Sequence, residues 1–81
     1  MPTKPLTLAC LGCGARAQTY TQLAARRPDR LQIVAGADPV PDRVDTIRRL
    51  SGHAGFRGFP SAEALLAAGK LADVMIVATQ D

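Results

Sequence analysis

Three short apolar runs recur along the chain, Leu6–Leu11, Leu31–Ala37 and Asp73–Thr79, with helix-length segments between them. Each run is nearly continuous instead of alternating, which suits a strand covered on both faces, as in a parallel sheet. After the first run, Tyr20, Leu23, Ala24 and Arg27 recur at helical spacing, predicting a helix from Ala15 to about Arg27 that Pro28 closes. After the second, Pro41 to Leu50 reads as a helix with Val44, Ile47 and Leu50 inward, Asp45 placed to pair with Arg48 or Arg49, and Gly52 as its C-cap. Residues 53–60 are the least regular, with a short strand expected around Phe56. Ser61 is a good N-cap for a third helix, Ala62–Ala68, which Gly69 would stop. Met1–Pro5 is expected to be a disordered start. The order β-α-β-α-(β)-α-β predicts an α/β fold, an open parallel sheet with helices on both faces and right-handed crossovers.

With 81 residues there is room for one small domain of modest stability. The chain is 47% apolar and 21% charged without low-complexity tracts, a globular composition. A net charge of +3 comes from eight arginines and two lysines spread along the chain, densest at Arg26, Arg27 and Arg30. Only Tyr20, Phe56 and Phe59 are aromatic, so the cations read as a solvated face and not as a nucleic-acid surface. Lys4 precedes an apolar stretch, but Gly12, Gly14 and Arg16 interrupt it before a membrane span can form. Two cysteines without a secretory signal point to a reducing, cytoplasmic setting and no disulfide.

Between the first strand and the first helix lies CLGCGARA, residues 10–17, which carries two overlapping motifs. One is C-x-x-C, on Cys10 and Cys13. A redox dithiol sits at an exposed helix N-terminus, whereas Cys10 belongs to the strand, where a buried cysteine is ordinary core. A zinc site needs about four ligands, and beyond these thiols only His53, a loop residue without an expected role, is at hand. No metal site is expected, and the redox module stays a remote alternative.

The other motif is G-x-G-x-x-A, on Gly12, Gly14 and Ala17, directly after a strand and opening a helix. In a dinucleotide-binding turn the first glycine permits the sharp bend, the second lets a pyrophosphate approach the backbone, and the third small residue brings helix against strand. The turn's backbone, through Cys13 and Ala15, and the helix N-terminus then meet the phosphates. An acidic residue, Asp38, ends the second strand 21 residues past Ala17, placed to accept from the adenosine ribose hydroxyls. Such a carboxylate repels a 2′-phosphate and so favours NAD over NADP. Alone, Asp38 reads equally well as a turn residue before Pro39. Arg16 can reach a phosphate oxygen or be a solvated helix arginine, and Arg43 can stack on adenine or form a surface salt bridge. Thr79, at the carboxyl end of its strand, lies where open α/β sheets bind ligands. Cys13, at a helix N-terminus, is expected to be the reactive thiol, protected from alkylation by bound NAD, with Cys10 inert.

LACLGCGARAQTY, IVAGADP and ADVMIVATQD together resemble the opening of the glucose–fructose oxidoreductase and inositol dehydrogenase family, over Leu6 to Asp81. The resemblance implies a Rossmann-like half domain, residues 1–81 being the N-terminal portion of a dinucleotide-binding domain. It implies an NAD(P)-dependent oxidoreductase that moves a hydride to or from a small sugar-like or polyol substrate, with Thr79 and Gln80 bordering the cofactor. Gln80 replaces the family's usual proline. The family's Glu-Lys-Pro motif, its catalytic residues and its substrate domain are expected beyond residue 81, so no residue of this chain is expected to be catalytic and the chain alone is expected to be inactive. Two alternatives stand beside this. The apolar last strand exposes an edge that can pair with another copy, making the chain a non-catalytic self-associating unit, and a homo-oligomer is expected. The whole protein can also be a glycosidase holding NAD, as are relatives with an arginine in the glycine turn.

Overall fold

Each of the apolar runs carries a strand, and the strands of the described residues lie parallel. The computed structural model describes residues 4–77. Its elements are β1 (Leu6–Leu11), α1 (Ala15–Arg26), β2 (Leu31–Ala37), α2 (Pro41–Ser51), β3 (Arg57–Phe59), α3 (Ala62–Ala67) and β4 (Val74–Val77). The sheet order is β3-β2-β1-β4, the arrangement of one half of a doubly wound fold. Lys4 and Pro5 carry no regular structure, and the rest of the expected disordered start lies outside the described residues.

The two faces of the sheet are built differently. On one, Leu8, Cys10 and Ile33 pack with Ala17 and Ala24 of α1, Val44 and Ile47 of α2, and Phe56. On the other, Ala9, Ala35 and Ala37 meet Leu65 of α3. Alanines let α3 seat Leu65, its one buried residue, close to the strands, whereas the opposite face is filled by the larger Leu8, Ile33, Ile47 and Phe56.

A register shift in β2 governs which residue faces which layer. Leu8 pairs with Ile33 but Ala9 pairs with Ala35, so Val34 is an extra residue in β2. Strand side chains alternate faces with period two. The extra residue therefore reverses the alternation: Ile33 faces α1 and α2, and after the shift it is Gly36 that does so, with Ala35 and Ala37 turned to α3.

The helix ends follow local signals. Ser61 Oγ accepts from Ala64 N at 3.1 Å, and Gly52 takes the left-handed C-cap of α2 at φ 63°. Asp45 pairs with Arg48 at 2.6 Å, as the spacing predicts. Helix α1 departs from expectation. It ends at Arg26, and its buried stripe is Ala17, Thr21 and Ala24, while Tyr20 and Leu23 are 41% and 51% exposed. Small residues face the sheet because the glycine turn brings α1 in close, and Thr21 satisfies its hydroxyl on Ala17 O at 2.7 Å. The third helix ends one residue short of Ala68, and β3 begins one residue past the buried Phe56. At the opposite end of the sheet, Thr7 N and Oγ1 donate to Asp73 Oδ2 at 3.1 and 3.0 Å, holding that carboxyl below its ordinary value.

Ile47 is fully buried between α2 and the sheet. Ile47→Ala is expected to cost about 2–5 kcal/mol by lost burial and the cavity left behind, read from urea unfolding followed by far-UV circular dichroism.

Candidate nucleotide site

Residues 12–17 join the carboxyl end of β1 to α1. Gly12 sits at φ 94°, a conformation that L side chains rarely adopt, and its N–H donates to Ala37 O at 2.8 Å. That bond extends the β1–β2 ladder one step into the turn. Cys13 continues it, its N–H donating to Asp38 Oδ2 at 2.9 Å. Ala17 is wholly buried against the sheet, as its place in the motif requires.

Gly14 is the N-cap of α1, at φ −80° and ψ −160°, which any residue can adopt. A Cβ added there would meet nothing within 4 Å among the described residues. Neither backbone strain nor crowding by the chain itself explains this glycine. Among the described residues no side chain caps the N-terminus of α1, and its first turn holds no acidic residue. The leading N–H groups and the positive end of the helix dipole thus open onto the space that Gly14 leaves bare. Ala15 and Arg16 are exposed at the rim of that space.

Asp38 follows β2 directly and is only 5% exposed. Its Oδ1 accepts from Val40 N at 2.8 Å, its Oδ2 from Cys13 N, and its own N–H donates to Phe59 O at 3.2 Å. Arg43 Nη1 stands 3.9 Å from Oδ2, a salt bridge across the outer side of the carboxylate. Gly12, Cys13, Gly14, Ala17, Asp38 and Arg43 are therefore brought together at the carboxyl ends of β1 and β2. Thr79 and Gln80 lie outside the described residues; the last described pair of β4, Val77 with Leu11, ends beside the turn.

The expectation of a reactive Cys13 is overturned. Its side chain is wholly buried, with Sγ 3.6 Å from Ala37 O. Burial, reinforced by the neighbouring Cys10 and Asp38, pushes its thiol up to about 12. Burial likewise raises Cys10 to about 11, partly offset by a hydrogen bond with Thr21. Two buried, protonated thiols lack the accessible thiolate that a redox dithiol uses. Among the described residues no group of three or more His, Cys, Asp or Glu is placed to hold a metal, and no helix is long and apolar enough to cross a membrane. Sequence reasoning missed Val40, Gly36 and Phe56, which set the carboxylate and the cysteine in place. The available signal was Gly36 itself, since a glycine inside a strand marks a close approach.

No protein-family model and no curated protein matches the chain. Solved structures do. The WlbA dehydrogenase from Chromobacterium violaceum, in complex with NADH and UDP-GlcNAcA, superposes on 98% of this chain with a TM-score of 0.80 at 24% identity. The WlbA dehydrogenase from Bordetella pertussis, also with NADH and UDP-GlcNAcA, superposes on 93% with a TM-score of 0.76 at 27% identity. The chain corresponds to 22% of each of those chains. Its α/β fold is thus that of a Rossmann-like half domain, like part of NADH-binding dehydrogenases.

Both thiols are expected to resist iodoacetamide at neutral pH until denaturant is added, as mass spectrometry will show. Unfolded thiols ionise near 9.0 while the folded ones hold their protons to about 11 and about 12. Stability is therefore whole below pH 9 and falls as pH rises beyond it, measurable as a declining urea midpoint.

Proposed function

We propose that this chain is the nucleotide-binding portion of an NAD-dependent oxidoreductase of the glucose–fructose oxidoreductase and inositol dehydrogenase family, acting on a sugar-like substrate. Gly14 carries the proposal. Its backbone is unstrained and a side chain there would touch nothing among the described residues, which is what a group outside the chain that must come close would require. It lies at an uncapped helix N-terminus, where that group is best an anion. A pyrophosphate fits the bare backbone, the N–H groups of α1 and Arg16.

Asp38 supports the adenosine end. Two of the roughly four acceptor directions of its carboxylate are taken by Val40 and Cys13, leaving the others for a ribose diol. Its negative charge favours a free 2′-hydroxyl over a 2′-phosphate, hence NAD over NADP. Arg43 flanks the carboxylate where an adenine would follow, and Thr79 and Gln80 belong to the same border by their place in the sequence. The nicotinamide cofactor, when bound, supplies the hydride donor or acceptor. The residues present bind and orient the nucleotide, and none of them is proposed as catalytic. The NADH and UDP-sugar bound by the two WlbA dehydrogenases support the cofactor and the substrate class. Catalytic residues and the substrate domain are proposed to lie in further sequence, the whole protein being cytoplasmic.

Calorimetric titration with NADH and ADP-ribose tests the proposal. The wild-type chain is expected to bind both, while Gly14→Val keeps its fold and loses binding by at least about tenfold, since the valine occupies the phosphate's place. Binding that survives the valine unchanged refutes the assignment.

A second function is favoured by one observation. Strand β4 is an edge of the described sheet, and Val74, Met75 and Val77 on it are 41%, 38% and 67% exposed. An apolar edge of this kind pairs with another strand. Self-association through β4 predicts a concentration-dependent dimer in sedimentation velocity, which Val77→Lys abolishes; a clean monomer at high concentration rules it out.

A further inference from the structure

We infer that Cys13 determines the ribose selectivity of this site, acting through its own backbone; the inference rests on the nucleotide function proposed above. The backbone amide at this position, expected from the motif to meet the phosphates, donates instead to the Asp38 carboxylate. The Cys13 side chain is among the most deeply buried in the chain, and the residue's two polar groups grip consecutive residues of the neighbouring strand's end. The thiol lies 3.6 Å from Ala37 O, and the amide lies 2.9 Å from Asp38 Oδ2.

The seat of the sulfur is narrow. It lies over the bare Cα of Gly36, where a Cβ would come within 3.1 Å of both Cys13 Sγ and Phe56 Cζ. Only a short side chain enters. A longer one must lift residue 13 away from β2, and its N–H would leave the carboxylate with it. Asp38 would then keep one backbone donor, Val40 N, with Arg43 at 3.9 Å as its nearest cation. A carboxylate held by one bond can rotate, and the acceptor geometry for a ribose diol is lost. A carboxylate that swings toward Arg43 also stands less squarely against a 2′-phosphate. Both changes push the same way: discrimination is a difference of two affinities, and it shrinks from each side. Cys13 is thus a positioning residue, touching no ligand.

The test is calorimetric titration of the full chain with ADP-ribose and with 2′-phospho-ADP-ribose, with circular dichroism as the check of fold. Wild type is expected to prefer ADP-ribose. Cys13→Ser, no longer than the native side chain and able to donate to Ala37 O, is expected to keep that preference. Cys13→Leu is expected to reduce it by about tenfold, the size of one lost hydrogen bond to a charged group. Gly36→Ala, which presses on the sulfur from below by a few tenths of an ångström, is expected to move it in the same direction and stands in if the leucine variant does not fold. A preference unchanged in folded Cys13→Leu or Gly36→Ala, or equal loss of both ligands, overturns the inference and leaves the nucleotide site intact. A folded wild type that binds neither ligand overturns both.

Discussion

The bond on which the site depends is the one from Gly12 N–H to Ala37 O, 2.8 Å long, where the β1–β2 ladder runs past the end of β1 into the turn. It requires the positive φ of Gly12, and it fixes where residue 13 can be. From there the amide of Cys13 reaches Asp38, α1 starts at Gly14 with its N–H groups bare, and Ala17 comes down onto the sheet. The glycine turn and the Asp38 carboxylate are consequently one rigid piece. Their spacing is set by parallel strand pairing, among the stiffest features of the fold, and not by loop conformation.

Deep burial gives this piece its character. Asp38 is nearly enclosed and the thiol behind it is protonated, so the carboxylate is the charge that this wall of the site presents. Surface ion pairs such as Asp45–Arg48, exposed on both sides, contribute a few tenths of a kcal/mol and do not shape the site. What holds Asp38 is backbone, and backbone donors do not reorient when a ligand arrives.

Much of this was legible in residue order. Continuous apolar runs announced strands covered on both faces, and Ser61, Gly52 and Gly69 marked helix ends through chemistry that needs no tertiary context. The turn's glycines and Asp38 followed from spacing. Helix α1 was misread because Tyr20 and Leu23 dominate any count of hydrophobic periodicity, whereas the face that matters is the small one, Ala17, Thr21 and Ala24. Cys13 was misread for a different reason. A helix N-terminus suggests a reactive thiol, but the enclosure of this one is made by Gly36 and Phe56, far along the chain, and no local pattern reports it.

The extra residue at Val34 gives β2 a reading frame. Along a strand, the face a side chain meets is counted in steps of two, so the position of Asp38 is addressed by how many residues precede it and hardly by what they are. Removing Val34 would leave the pairing of Ile33 with Leu8 and of Ala35 with Ala9 as it is and only make the ladder regular; drawing Val34 into the ladder as a paired residue would instead turn Gly36 and Asp38 to the α3 side, away from the turn. Substitutions within this strand are then graded by size, while an insertion or deletion that the bulge at Val34 does not absorb acts as a frameshift of the fold, and the carboxylate is what it misplaces.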